Sequence, residues 1–354
     1  MKFLKYLLFI ILIVIIAGAV YFGAKDGKFD ASTSRTMQIP AAVVYEQVND
    51  YTTWQDWGPW MEIDPEVKVT MGDTTAGVGA NYSWQSEHIE VGDGSMKTIA
   101  TEANKSIDQE ITFDTPFGAS TSDVYWKFES VENSTDTKVT WGMKGEFSLI
   151  EKIFMSFNSK SFDETLQEMY NTGLENLEQT TKASMEQHTV TFDGISEYGG
   201  GYYMYVTAST TAAGLGAKMA PMMGKVYGYM QANNIKQSGM PFTIYNQVDS
   251  AAGTMIFSTA IPVKERIITI PESEVLCGYM PPLTAVKTTL MGNYNNLDKA
   301  YARGLQYIQE KGLTINEEHP MFEIYVSDPG EVPNPSNWET AVYIPIVTPQ
   351  ETIN

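Results

Sequence analysis

The 354-residue chain is long enough for two domains of ordinary size, each burying its own core. Its 23 Lys and Arg stand against 43 Asp and Glu, and the net charge of −20 argues against nucleic acid or an anionic lipid surface as a partner. A single cysteine, Cys277, rules out an intrachain disulfide, and the plentiful Tyr and Trp rule out wholesale disorder.

From Tyr6 to Ala24 the sequence YLLFIILIVIIAGAVYFGA carries no charge. At about 1.5 Å per residue, a helix of that length nearly crosses the apolar core of a bilayer. Residues 1–25 therefore read as a transmembrane anchor. A cleaved signal peptide is the competing reading, because Ala17-Gly18-Ala19 resembles a cleavage site, but the apolar run continues through Val20, Tyr21 and Phe22. Lys2 and Lys5 precede the span while Lys25, Lys28 and Arg35 follow it, so charge barely sets the orientation. A short basic head that stays inside puts the soluble domains outside the cytoplasm. The polar residues 26–35 are expected to be a linker.

The first domain, residues 36–182, opens with a short strand, TMQI, and Pro40 then starts a helix over Ala41 to Asn49. Six runs of period two follow, separated by Gly and Asp turns: VKVTM, NYSWQSE, MKTIATEA, QEITFD, SDVYWKFESV and TKVTWGMKGEF. They predict an antiparallel sheet. A long amphipathic helix around Phe162 to Lys182 closes the domain.

This order, with IPAAVVYEQVNDYTTWQDWGPW, GVGANYSW, KVTWGMKGEF and ETLQEMYNTGLENLE as the matching segments, resembles the SRPBCC superfamily (START-like, polyketide cyclase). The resemblance implies an α+β helix-grip domain: a curved antiparallel sheet around one long C-terminal helix, enclosing a cavity for an apolar ligand. Trp57, Trp60, Trp84, Trp126 and Trp141 are the candidates to line that cavity, against the alternative that they are ordinary core.

The second domain, residues 187–349, contains an internal repeat, and residues 350–354 form a tail. QHTVTF to YMYVTAS, a helix around Ala217 to Asn233, PFTIYNQ and GTMIFSTAIPV make the first copy. EVLCGYMPPLTAVKTTL, a helix over Asn296 to Gly312, PMFEIYVSD and WETAVYIPIV make the second. Phe242-Thr243-Ile244-Tyr245 matches Phe322-Glu323-Ile324-Tyr325 across the two copies. The duplicated β-α-β-β unit resembles the GyrI-like (SOUL-related, effector-binding) domain. That resemblance implies a cleft between the repeats that takes small hydrophobic or cationic molecules. Some family members sit behind a DNA-binding domain, but no helix-turn-helix or basic region occurs in this sequence.

His88, His188 and His319 are scattered and have no metal-ligand spacing, so no metal site is expected. GVGAN and EYGGGYY lack the strand-to-helix context of a phosphate loop and read as turns. No residue stands out as catalytic, and no cofactor is implied. Along the last strand, alternation sets Val342, Ile344 and Ile346 toward the core and Glu339, Ala341 and Tyr343 on the other face. Glu323 and Tyr325 likewise share a face. Tyr245, Tyr279, Tyr294 and Trp338 complete the expected aromatic wall. The family pattern places a Glu two residues before the tyrosine of the last strand, where this chain has Ala341; Glu339 or Glu323 is then the substitute acid. Exposed strand glutamates are the plainer alternative. The function expected is a membrane-anchored binding protein for small hydrophobic or aromatic molecules. A hydrolase or isomerase acting in the second cleft, or a non-catalytic envelope scaffold, are the alternatives.

Overall fold

The computed structural model describes residues 2–115, 118–132, 134–157, 160–249 and 251–347. The expected tail, 350–354, and the last two residues of the second domain as expected, 348–349, lie outside the described residues. The chain divides into two units between Ser184 and Met185.

In the first unit, α1 (Lys2–Gly23) is followed after four residues by β1 (Lys28–Met37). Most of the expected linker is therefore strand. Residues Lys28 to Met37 pair with Glu146 to Thr137 of β7 (Thr137–Glu146) in unbroken antiparallel register. Its polar sequence concealed it because β1 is an edge strand, where backbone pairing needs only an occasional apolar anchor; Ala31 and Met37 are buried, Phe29 and Thr33 are half-buried and the rest is exposed.

The remaining strands are β2 (Lys68–Met71), β3 (Asn81–Gln85), β4 (Asp93–Glu102), β5 (Ser106–Thr115) and β6 (Gly118–Ser130). The sheet order is β1-β7-β6-β5-β4-β3-β2, so every neighbour except β1 is a consecutive hairpin partner. Helix α2 (Ala41–Asn49) follows Pro40 and buries Val43, Val44 and Val48. The short α3 (Trp60–Ile63) and α4 (Leu149–Met155) precede α5 (Phe162–Met185). Ser148 with Glu151, and Ser161 with Glu164, supply reciprocal N-terminal caps to α4 and α5.

Helix α5 buries Leu166, Tyr170, Gly173, Leu174 and Leu177. Tyr170 stacks on Trp141 at 3.9 Å between ring centres, and Trp141 stacks on Trp126 at 4.4 Å. Gly173 is the point of closest approach: a Cβ there would lie 2.6 Å from the Trp141 ring. A buried polar chain runs beside the rings, in which Trp126 Nε1 donates to Gln109 and Gln109 Nε2 and Thr98 Oγ1 both donate to Tyr51 Oη.

The second unit holds one sheet of order β12-β9-β11-β10-β14-β15-β13-β8. Its strands are β8 (Thr189–Tyr198), β9 (Gly201–Thr211), β10 (Phe242–Asp249), β11 (Thr254–Val263), β12 (Leu276–Met280), β13 (Leu283–Met291), β14 (Met321–Tyr325) and β15 (Glu339–Pro345). The two copies of the repeat meet at β10 and β14, and the leading strands are exchanged: β8 pairs with β13 and β12 with β9. Helices α6 (Leu215–Ala232) and α7 (Leu297–Lys311) cover one sheet face. Val226 and Met230 of α6 pack on Met204, Val206, Ile261 and Val263, while Ala300 and Ile308 of α7 pack on Val286, Leu290, Val342, Ile344 and Ile346. The opposite face gathers Phe242, Ile244, Phe322 and Leu283 under Tyr198, Tyr203, Tyr205 and Tyr343.

Candidate binding sites in the two units

In the first unit a cavity of about 220 Å³ lies between the sheet and α5. Trp60, Trp84 and Trp141 are among its walls, with Tyr82, Met96, Ile111, Phe113, Phe162, Leu166, Met169 and Tyr170; Glu90 and Thr165 are its polar exceptions. Of the five tryptophans expected to line it, Trp57 and Trp126 do not. Trp126 is fully buried and held by its bond to Gln109, and Trp57 packs edge-on against Trp126 and Trp141 behind the wall. Alternation selects which strand residues point inward, but it does not say which of them a second layer of rings will cover. The indole N–H of Trp141 is buried with no acceptor among the described residues.

In the second unit the residues that converge are on the helix-covered face. Cross-strand partners in an antiparallel pair share a face. The register Thr243↔Glu323 and Glu323↔Val342 therefore puts Glu323 with the α7 core residues, and Phe322↔Tyr343 puts Tyr343 on the other side. Glu323 is completely buried. Tyr325 Oη donates to its Oε1 at 2.7 Å, Tyr245 Oη to the same oxygen at 3.1 Å, and Tyr301 Oη of α7 to Oε2 at 3.3 Å. Tyr325 Oη also lies 2.8 Å from Thr243 Oγ1 and 3.1 Å from Met219 Sδ on α6. Tyr294 packs against both Tyr325 (5.3 Å) and Trp338 (4.7 Å), closing the aromatic wall.

Burial is the dominant influence on this acid: it pushes the Glu323 carboxyl up to about 7, against the opposing pull of the three tyrosine hydroxyls. The same burial, reinforced by the glutamate charge, raises Tyr245, Tyr301 and Tyr325 far above the ordinary phenol range, and Tyr294 to about 12. All four stay protonated, and Tyr245, Tyr301 and Tyr325 are donors to Glu323. No Lys or Arg forms an ion pair with Glu323 among the described residues.

Of the expected site residues, Tyr245, Glu323, Tyr325 and Trp338 are brought together, and Tyr294 joins them. Tyr343 and Glu339 are not, because they share the face of Phe322: Tyr343 stacks on Phe322 at 4.8 Å and 3°, and also meets Tyr198. Tyr279 is corrected as well. It stands 54 % exposed against Tyr202 on the edge strand β12, four strands or roughly 19 Å from β14. Tyr301, Thr243 and Met219 escaped the sequence reading. Tyr301 had a usable signal, since it adjoins Ala300 and precedes Gly304 and Ile308 on the apolar stripe of α7.

The first unit thus holds a pocket enclosed by sheet and helix, and the second a buried acid between its duplicated halves. Residues 28–182 match the family model described as polyketide cyclase / dehydrase and lipid transport, and residues 202–347 match the GyrI-like small molecule binding domain. The chain carries a domain of each family, in that order. Solved structures similar to parts of it include the EcmrR C-terminal domain, at 17 % identity over 45 % of this chain and 98 % of that one, with a TM-score of 0.39. Others are protein MLL2253 from Mesorhizobium loti (13 %, 44 % and 98 %, 0.32) and the Aha1 dimer from Colwellia psychrerythraea (13 %, 43 % and 96 %, 0.31). No curated protein matches the chain.

Proposed function

We propose that the chain is a membrane-anchored binder of small lipophilic molecules, with an apolar pocket in the first unit and a cation-accepting carboxylate in the second. The observation that carries this reading is Glu323, fully buried, ringed by three tyrosine hydroxyls and lacking a cationic partner among the described residues. An ionised carboxylate in such a place is costly without a countercharge. A bound organic cation supplies one, and the rings of Tyr294, Tyr301 and Trp338 offer faces for cation–π contact. A metal ion fits worse, since a hard cation needs several carboxylate or carbonyl oxygens and the neighbours of Glu323 are phenols.

For the first unit, size supports an apolar ligand. A dry apolar cavity of about 150 Å³ takes up benzene, so about 220 Å³ suits a two-ring body or a short acyl segment. The family descriptions, lipid transport for one domain and small-molecule binding for the other, support the same reading. Anchoring rests on α1, whose 22 residues span about 33 Å with no buried side chain in the apolar window.

Thermal denaturation of the full chain in detergent, with tetraphenylphosphonium and with a neutral triaryl analogue, tests the second site. At about a hundredfold over Kd the cation should raise Tm by roughly 5–10 °C, the neutral analogue should not, and Glu323→Gln should abolish the response. A response that survives Glu323→Gln sinks the assignment.

A hydrolase or isomerase is the second reading, favoured by one feature: a carboxyl at about 7 can both give and take a proton at neutral pH. Turnover of a small electrophilic substrate that Glu323→Gln removes would establish it. Tight binding without turnover would leave the chain a binder.

A further inference from the structure

Where α1 ends, the fold builds a second apolar surface. Only Ala24 to Gly27 separate α1 from β1, and Lys28, the first residue of β1, pairs with Glu146, the last of β7. Helix α4 starts three residues after Glu146, so both chain directions lead to one corner of the unit. The corner is tied directly: Lys152 Nζ of α4 donates to the Lys25 carbonyl at 2.7 Å. On α4 and the turn after it, Ile150 and Phe157 are seven residues apart, two helical turns along one face, and are 43 % and 82 % exposed. Leu149 beside them is also exposed.

We propose that α4 and its following turn are a membrane-docking element, seated in the headgroup and upper acyl region of the same bilayer that α1 crosses. This rests on the reading of α1 as an anchor. Three observations choose lipid as the occupant. The surface is continuous with the end of the span, and α1 finishes in Tyr21 and Phe22 with Lys25 Nζ 4.6 and 5.2 Å from their rings, the mixture of aromatic and basic side chains that sits at a bilayer interface. Glu151 of α4 and Glu164 of α5 are engaged as helix caps on Ser148 and Ser161, while Asp163 beside Glu164 stays exposed, and Lys25 and Lys152 stand together at this corner. Insertion here depends on apolar burial and not on net charge, so uncharged phosphatidylcholine is a sufficient partner.

The docking corner also adjoins the first cavity. Phe29 of β1, Phe147 after β7 and Phe162 of α5 form a cluster with ring centres 4.6 to 5.1 Å apart. Phe162 is itself a cavity wall, so one layer of rings separates the docking corner from the pocket.

The test uses the full chain with Cys277→Ser, reconstituted in phosphatidylcholine vesicles and carrying one fluorophore at a new cysteine: Val14→Cys, Ile150→Cys, Phe157→Cys or Val131→Cys. Val131 is exposed in the β6–β7 turn, at the far end of the hairpin that begins beside α4. Quenching by a spin label high on the lipid chain should be at least roughly twofold stronger at Ile150 and Phe157 than at Val131, and insensitive to salt. Quenching at Val14 with Ile150 and Phe157 indistinguishable from Val131 overturns the docking proposal alone. Loss of quenching at Val14 as well overturns both this proposal and the anchor reading.

Discussion

Glu323 turns a burial cost into a pH signature. Its carboxyl is raised in the folded state from 4.5 to about 7, so between those values the folded chain holds a proton that the unfolded chain has released. The contribution is fully present below about 4.5, falls as pH rises, and is gone above about 7. Over that window the second unit should lose on the order of 3 kcal/mol from this group, and Glu323→Gln should flatten the decline in urea titrations at successive pH values. The cation site should behave oppositely: below about 7 a proton competes for the carboxylate, so tetraphenylphosphonium affinity should drop up to tenfold per pH unit. At this scale the sequence was partly legible. Alternation correctly joined Glu323 to Tyr325, and a Glu two residues before a tyrosine is present in the chain, but on β14 and not on β15. The step from a shared face to which face needs cross-strand register, and the pairing Phe322↔Tyr343 is a long-range fact with no local signal in WETAVYIPIV.

Among the elements, α5 and its one close contact give the sharpest stability forecast. Gly173→Ala would set a methyl 2.6 Å from the Trp141 ring and 3.1 Å from Pro59, both rigid, at a cost of about 1–3 kcal/mol. Gly228→Ala on α6 meets nothing within 4 Å and should stabilise by about 0.5–1 kcal/mol through the helix backbone. Tryptophan fluorescence during urea unfolding separates the two, because six of the seven tryptophans belong to the first unit and only Trp338 to the second. Long periodic elements were readable from the chain: the six strands β2 to β7, α5, α7 and the repeat all follow from spacing. Strand β1 was readable only at its end, where the expected TMQI overlaps it at Thr36 and Met37, since an edge strand with Asp, Ser, Thr and Arg facing solvent has the composition of a linker. The exchange of β8 and β12 was not readable, because the repeat pattern assigns a strand to a copy without saying whose sheet edge it will join.

For the molecule as a whole, the anchor reading predicts that alkaline carbonate leaves the chain in the membrane pellet and that its N-terminal residues are intact by mass spectrometry. A mature terminus after Ala19 would make the apolar stretch a signal peptide instead. The duplication has a further consequence. Thr243 and Glu323 are equivalent positions of the two copies, yet they are direct cross-strand partners, so the acid stands beside the pseudo-twofold axis. Tyr245 and Tyr325, also equivalent, converge on that single carboxylate from both halves. The equivalent place across that axis holds Thr243, which carries no charge, so a scaffold built twice offers one charge to one guest. Titration should give a stoichiometry of one cation per chain, with both halves contributing to a single occupancy.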